Sequence, residues 1–200
     1  MNIIESQTTY YGQTFETLSC QEAMIERSEF EECAFIACSF HEIHWRGCAF
    51  LNCLFKECQW HLNQVTHSSF KLVRFEDSTV VGVDWTQAAW PKKSLFRALQ
   101  FTRCVLNHST FIGLNLRDLH LVECVAHDVD FEGADLTQAI CRGSDFTNSR
   151  FCRTNLTKAD FSGARNYSIA AQQNTLKKTK FSLPEAMSLL DHLDIILTDI

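Results

Sequence analysis

The residues best suited to chemistry in this chain are its ten cysteines, several of which are spaced by multiples of five. The densest group is Cys33, Cys38, Cys48, Cys53 and Cys58. Thiolates in such numbers could hold a zinc ion, but the shortest spacing is C-x4-C and no C-x2-C pair occurs. Pairs twenty residues apart come within disulfide reach if they stack, although a cytosolic setting keeps thiols reduced. Because cysteine is a small, readily buried hydrophobe, we predict that these side chains fill a core.

Histidines offer a second group of metal ligands. The segment from His41 to His44 reads HEIH, which differs from the H-E-x-x-H zinc motif carried on helices. His61 follows His41 by twenty residues and stacks on it if the chain repeats with that period. Two imidazoles are fewer than the three or four protein ligands of ordinary zinc sites. We predict a surface histidine pair, with no metal site and no cofactor.

Acidic residues provide the third candidate surface. The segment HDVDFEGAD concentrates Asp128, Asp130, Glu132 and Asp135, and the whole chain has a net charge of −6. Residues 1–90 carry twelve acidic against five basic residues, whereas 91–166 carry eight against ten. This balance argues against a nucleic-acid binder that works through a basic surface. The cluster is either a solvated face or a stripe that imitates the phosphates of duplex DNA toward a basic partner.

The elements that position these residues follow a period of five. Every fifth residue from Tyr10 to Trp90 is apolar, and a small or β-branched residue usually precedes it by two places. The apolar series includes Phe15, Phe30, Phe35, Phe40, Trp45, Phe50, Phe55, Trp60, Phe70, Phe75 and Trp85. The register slips once, at Pro91, where Phe96 follows Trp90 by six residues, and five-residue spacing then resumes as far as Phe161. Such self-similarity marks a repeat architecture.

The clearest blocks read GADLT, GSDFT and KADFS, and from about 8 to 166 the chain resembles the pentapeptide-repeat family, whose motif is A-(D/N)-L-x-x. The resemblance implies an all-β fold, a right-handed quadrilateral parallel β-helix with one block per side and four per coil. Coils then stack about 4.8 Å apart, with residues twenty apart above one another. Phe15, Phe35, Phe55 and Phe75 form one inward ladder, and the slip at 91 adds one residue at a corner, so that Phe75 leads to Phe96.

Enzymatic and membrane functions are disfavoured. The sequence has no Gly-rich phosphate loop and no G-x-S-x-G motif, and a filled solenoid axis leaves no catalytic cleft. We predict no catalytic residue. The start MNIIESQTTYYG lacks a basic segment followed by an apolar one, and no run approaches the roughly 18 apolar residues of a membrane span. We expect a cytoplasmic protein.

The C-terminal segment has a different pattern, and we divide the chain into a repeat domain, 1–166, and a tail, 167–200. Ser182 and Glu185 fit a capping box and Pro184 suits a first helical turn, which predicts a short helix. DIILTDI predicts a strand after it. The tail either caps the last coil or pairs two chains. It is similar to the tails through which family members that act on topoisomerases dimerise, which implies an interface of Leu183, Met187, Leu190, Leu193, Ile195, Ile196 and Leu197.

Function follows from the resemblance. The stretches VGVDWTQAAWP and FSLPEAMSLLDHLDI look most like members that confer albicidin resistance, and quinolone-resistance and microcin-immunity members are more distant. This implies a homodimer that mimics DNA, binds DNA gyrase or topoisomerase IV through the four acids, and touches neither nucleic acid nor membrane. The one-residue slip argues against a mechanism that needs a large loop. The alternatives are a scaffold for an unknown partner and, third, a metal-binding or redox protein.

Overall fold

The chain folds into an all-β parallel solenoid of about eight turns. A computed structural model describes residues 4–90, 99–193, 195, 196 and 198. In chain order the strands are β1 Thr9–Tyr11, β2 Thr14–Glu16, β3 Ser19–Gln21, β4 Met24–Glu26, β5 Glu29–Glu31, β6 Ala34–Ile36, β7 Ser39–His41, β8 His44–Arg46, β9 Ala49–Leu51, β10 Leu54–Lys56, β11 Gln59–His61, β12 Ser69–Lys71, β13 Val73–Glu76, β14 Thr79–Val81, β15 Leu99–Thr102, β16 His120–Val122, β17 Arg150–Phe151, β18 Asp160–Phe161, β19 Ser168–Ile169 and β20 Lys180–Phe181. Three 3₁₀ helices span Trp85–Gln87, Ala171–Gln173 and Glu185–Leu190.

Strands one coil apart pair in parallel and build the sides of the solenoid. The longest sheet has the order β16-β15-β13-β10-β6-β2, and two four-stranded sheets run β1-β5-β9-β12 and β14-β11-β7-β3. Strand β4 pairs with β8 on the remaining side. Phe35 aligns with Phe15 below it and with Phe55 above it, which confirms the twenty-residue coil.

The chain turns most corners through a residue in the left-handed region. At one corner of four successive coils these are Glu22, Glu42, Leu62 and Gly82, with φ of 49°, 53°, 52° and 68°. Side chains other than glycine adopt this region at a cost, which the packed coils above and below must offset. At Gly82 a Cβ atom would lie 2.6 Å from Cδ2 of Leu62. The Leu62 side chain therefore occupies the space that the missing Gly82 side chain leaves open.

The core is a set of aromatic ladders along the axis. Phe35 and Phe55 stack with ring centroids 4.5 Å apart and planes 4° from parallel. Their neighbours on the same ladder, Phe15 and Phe75, stack at 4.9 and 4.8 Å. Identical rings in register exclude water from both faces, as in other stacked β-structures. The inward ladder predicted from the five-residue period is confirmed.

Three indoles lie within this core with no hydrogen-bond acceptor for Nε1 among the described residues, namely Trp45, Trp60 and Trp85. Each meets a phenylalanine edge-on: Trp60, for example, lies 5.4 Å from Phe75 at an interplanar angle of 86°. Edge-on rings allow weak N–H···π contacts, which partly compensate a buried donor. Aromatic packing thus accommodates the indoles without a polar partner.

The register change after Trp90 is larger than expected. Phe75 aligns with Phe101, so this coil contains 26 residues instead of 20. The bridge between Thr79 and Val105 has the same offset. The expectation of a one-residue slip, with Phe96 above Phe75, is wrong, because Phe101 occupies that place. The six added residues fall between Trp90 and Leu99, and 91–98 lie outside the described residues.

Solenoid pairing continues beyond Ala164, where the sequence pattern fades. Strand β20 pairs with β18, aligning Phe181 with Phe161. The segment Glu185–Leu190 then forms a single 3₁₀ helix. The expected capping box does not form, because Ser182 Oγ accepts from the Gly163 amide and Glu185 accepts from the Asn166 amide. These contacts tie the tail to the coil below it.

The strand expected in DIILTDI is not found in its described residues. Ile195, Ile196 and Thr198 lie outside any strand. Positions 194, 197, 199 and 200 lie outside the described residues. No helix in the described part of the chain is long and apolar enough to cross a membrane.

Candidate functional site

Two of the four candidate acids form local turns as well as ion pairs. Asp130 Oδ1 accepts from the Glu132 amide at 2.8 Å, and Asp135 Oδ1 accepts from the Thr137 amide at 3.0 Å. Their second oxygens face arginines of the adjacent coils, Asp130 Oδ2 at 3.5 Å from Arg150 Nη1 and Asp135 Oδ2 at 3.3 Å from Arg117 Nη1. One carboxylate oxygen thus shapes the backbone while the other is neutralised.

Glu132 is the most enclosed of the four acids. Its side chain is 14% exposed and contacts both Arg150 and Arg153, with Arg150 Nη1 at 2.7 Å from Oε2. Asp128 stands at a corner, 45% exposed, and Asp128 Oδ2 lies 3.9 Å from His108 Nδ1. The structure therefore brings Asp128, Asp130 and Glu132 together around Phe131, with Asp135 on the next side. Only Asp128 has no arginine beside it within the described residues.

Two further acids were not singled out from the sequence. Asp145 and Asp160 occupy the same turn position and bond to Thr147 and Ser162 two residues on. Burial opposes ionisation of Asp160, but hydrogen bonds from Ser162 and Arg142 lower its pKa to about 2. Burial likewise opposes ionisation of Asp145, yet hydrogen bonds led by Asn166 and Thr147 hold its pKa far below the usual range. The sequence feature that could have identified these two acids is the D-x-(S/T) spacing, which predicts such turns.

Free acidic groups cluster instead on strand β5. Glu29 and Glu31 flank the buried Phe30, and Glu32 forms the next corner. None of the three makes an ion pair within the described ranges. A hydrogen bond and the nearby charge of Glu32 raise the pKa of the exposed Tyr11. This N-terminal acidic face, Glu29, Glu31 and Glu32, carries uncompensated negative charge.

The predicted histidine pair is present. His41 and His61 stack with ring centroids 4.8 Å apart and planes 13° from parallel. Partial burial and the neighbouring His41 lower the pKa of His61. Parallel rings direct their nitrogens side by side rather than toward one point. Within the described residues no three His, Cys, Asp or Glu side chains are grouped so as to hold a metal ion.

All ten cysteines carry free thiols, and eight of them are buried. This confirms that they fill the core. An open surface groove lies at the N-terminal coils, lined by Glu22, Ala23, Met24, Glu42, His44, Leu62 and Gln64. None of these lining residues is a nucleophile with an adjacent base.

The tail exposes large apolar side chains. Leu183, Met187, Ile195 and Ile196 are 78%, 47%, 51% and 91% exposed. Leu190 and Leu193 are half-buried, and Leu197 lies outside the described residues. The residue of this helix that packs against the core is Leu189, which the sequence pattern did not indicate. Four of the predicted interface residues thus face solvent in the single chain.

Two family models match the chain. A model described as "Pentapeptide repeat region" matches residues 28–100, and one described as "Pentapeptide repeats (8 copies)" matches 100–138 and 130–165. No curated protein sequence matches the chain.

Solved structures with a similar fold include QnrB1, a plasmid-mediated fluoroquinolone resistance protein. One trypsin-treated form superposes with a TM-score of 0.73 at 15% identity, covering 96% of this chain and 99% of that chain. A second trypsin-treated form gives 0.66 at 18% identity, covering 92% and 100%. The full-length protein gives 0.57 at 17% identity, covering 91% and 100%. At these identities the similarity establishes the fold alone.

Proposed function

This chain is a pentapeptide-repeat protein, and we propose that it binds DNA gyrase as a mimic of duplex DNA and protects the enzyme from a poison such as albicidin or a quinolone. The observation that supports this most is the similarity of its fold, over nearly the whole of both chains, to a fluoroquinolone resistance protein. Gyrase as the target comes from the family resemblance of the sequence. The second target that we propose is topoisomerase IV, which also binds duplex DNA.

The dimensions of the rod are compatible with a DNA-like contact. About eight turns at ~4.8 Å give a length of roughly 40 Å, and two such rods joined end to end reach roughly 80 Å. That length corresponds to roughly 25 base pairs. Duplex DNA carries about one charge per 1.7 Å, far more than the net −6 of this chain. Mimicry must therefore depend on local acidic faces and on the width of the rod.

The contact surface we propose comprises Asp128, Asp130, Glu132 and Asp135. Because Arg117, Arg150 and Arg153 neutralise three of these acids, the N-terminal acidic face has to contribute as well. Basic residues of a partner could also displace the arginines and pair with the acids in their place. Association should weaken with salt, because exposed charges mainly set the rate of encounter.

We also propose that two chains pair through the tail. The four exposed apolar side chains lie within 14 residues of sequence, from Leu183 to Ile196. A patch of this kind commonly marks an interaction site. A second copy of the tail would cover it with a surface of matching polarity, and pairing at one end doubles the length of the rod.

The test is drug-stabilised DNA cleavage by purified gyrase, with ciprofloxacin and albicidin in separate reactions. We expect the protein to reduce cleavage, and the variant D128N/D130N/E132Q/D135N to require roughly tenfold more protein, about 1.4 kcal/mol of binding. E29Q/E31Q/E32Q should have a comparable effect. The matched control is E16Q/E22Q/E57Q/E76Q, which removes four acids elsewhere and should behave as the parent.

The alternative function is that of a scaffold for a different partner. The ion pairs along the 128–135 edge favour this alternative, because they make the edge resemble an ordinary solvated surface. Absence of any effect of the parent protein on gyrase and topoisomerase IV would support it. Unchanged protection by both acidic variants would place the contact elsewhere on the rod.

A further inference from the structure

One column of the solenoid interior repeats the order cysteine, cysteine, serine. Its members occupy the same position in successive coils: Cys38, Cys58, Ser78, Cys104, Cys124 and Ser144. Backbone bonds between adjacent coils fix this stacking, with the residue after each member donating to the carbonyl of the member below, as Gln59 does to Cys38 and Val125 to Cys104 at 2.8 Å. The column therefore contains two pairs of cysteines, each pair one coil apart and each followed by a serine.

Within each pair the two cysteines stack directly above one another in adjacent coils. The Cys104 amide donates to Cys124 Sγ at 3.5 Å, so the Cys124 sulfur lies beside the backbone of Cys104. The Cys38 and Cys58 thiols have the same orientation as each other, since Cys38 Sγ donates to the Phe15 carbonyl at 3.4 Å and Cys58 Sγ to the Phe35 carbonyl at 3.2 Å. All four residues are 1% exposed. Each pair is thus a preformed buried dithiol rather than two isolated side chains.

The spacing of the coils fits a metal ion between two sulfurs. Two metal–thiolate bonds of about 2.3 Å place their sulfur atoms about 4.6 Å apart in a linear arrangement, close to the ~4.8 Å between hydrogen-bonded strands. Soft metals select thiolate ligands, and among them Hg²⁺ is satisfied by two ligands in a line. Zinc needs four ligands, and the described residues offer no third group near either pair.

Charge selects among the soft metals. A buried site of net charge zero avoids the cost of an unpaired ion in a medium of low polarity. Two thiolates around a divalent ion give a neutral complex, whereas two thiolates around Cu⁺ or Ag⁺ leave one negative charge. The exchange is balanced when both thiols release a proton: two S–H bonds break, two S–Hg bonds form, and two protons leave for each ion bound.

We propose that Cys38 with Cys58, and Cys104 with Cys124, are two binding sites for a soft divalent metal ion with linear coordination, for which Hg²⁺ is the probe. The ion links successive coils by bridging the two stacked sulfur atoms. Serine already occupies the same column at two levels, so a Cys→Ser substitution there matches the local structure.

The matched control is Cys48. It is equally buried and donates to the Ile25 carbonyl at 3.3 Å, but its column neighbours one coil away are Ser28 and Ser68. It therefore has a comparable environment with no second sulfur. Cys20 and Cys152 are partly exposed and would react first, so the parent for this experiment is C20S/C152S.

The parent and its variants C58S, C124S and C48S are incubated with HgCl₂, both in the native state and during refolding from urea. Loosely held metal is removed with a monothiol, and retained mercury and melting temperature are measured. We expect C58S and C124S each to retain one ion fewer per chain and C48S to retain as many as the parent. The metal should raise the melting temperature of the parent and of C48S more than that of C58S or C124S. The pair Cys33 and Cys53 is intact in every variant and contributes equally to all.

Equal retention by C58S, C124S and the parent would overturn the proposal, as would a loss in C48S equal to theirs. A parent that retains no mercury by either route would overturn it as well. The measurement needs no gyrase, so its outcome is independent of the proposed function.

Discussion

Arg150 Nη1 lies 2.7 Å from Glu132 Oε2, although 18 residues separate them in sequence. Arg150 stacks one coil above Asp130, so the same guanidinium also comes within 3.5 Å of Asp130 Oδ2. A segment that is strongly acidic in the sequence is consequently close to neutral on the surface. Three of its four acids thus pair with arginines of the fold itself.

Removing this guanidinium should expose the charge of the acidic edge. We expect R150Q to lower stability by no more than about 1 kcal/mol, because partly exposed ion pairs contribute little. If the edge binds gyrase, the same variant should protect the enzyme at lower concentration than the parent. Urea denaturation and drug-stabilised cleavage measure the two effects. R27Q, which removes an arginine with no ion pair in the described structure, is the control and should leave protection unchanged.

The turn-forming oxygen of Asp135 predicts different effects for two substitutions. D135A removes the acceptor of the Thr137 amide and should cost about 1 kcal/mol, as for loss of a capping side chain. D135N keeps an oxygen in that place and should cost less than about 0.5 kcal/mol. Urea denaturation of both variants decides the matter, and equal losses would mean that the ion pair with Arg117, not the turn, stabilises this position.

Truncating a rung of the aromatic ladder should be severe. F55A, and likewise F50A, removes a ring packed against rings in the coils above and below, and should cost about 3–5 kcal/mol. F55L, which retains most of the volume, should cost less. The measurement is the free energy of unfolding in urea. A loss below about 1 kcal/mol for F55A would show that the ladder is not the main source of stability.

Dimerisation through the tail predicts that I196D and M187D give a monomer in sedimentation velocity while the parent sediments as a dimer. Both side chains are exposed in the single chain, so the fold should be retained. L62D places the same change on an exposed leucine of the N-terminal half and should leave the dimer intact. A variant ending at Ser182 should also be monomeric. If all of these variants remain dimers, the tail only caps the last coil and does not form the interface.

Acid should weaken the C-terminal coils in a defined pH range. The pKa of Asp160 is lowered to about 2, whereas an unfolded aspartate titrates near 3.9. The ionised carboxylate therefore stabilises the fold above about pH 4, and this contribution is lost as the pH falls toward 2. We expect a smaller decline of melting temperature over that range in D160N than in the parent. D84N, a turn-forming aspartate without an ion pair in the described structure, should follow the parent.

The sequence by itself determined the interior of this protein. A period of five, with an apolar residue in each block, specifies which residues point inward. The family resemblance implies four blocks per coil, and the two together predict which residues stack: Phe35 on Phe55, His41 on His61, Cys38 on Cys58. This works because the inward positions depend only on the count of residues along the chain. The same count failed at Pro91. Adding one residue, or adding a five-residue block and one further residue, leaves the same five-residue pattern in the sequence. Only strand pairing therefore placed Phe101 above Phe75.

The surface was decided by the tertiary structure. Whether Glu132 presents its charge depends on which side chain of the next coil reaches it, and long arginines reach across blocks in ways that spacing does not specify. The tail shows the same limit: Ser182 and Glu185 match a capping box locally, yet both bond to the coil beneath them. A local sequence pattern predicts an element only where its polar side chains have no competing hydrogen-bond partner on a neighbouring stretch of backbone.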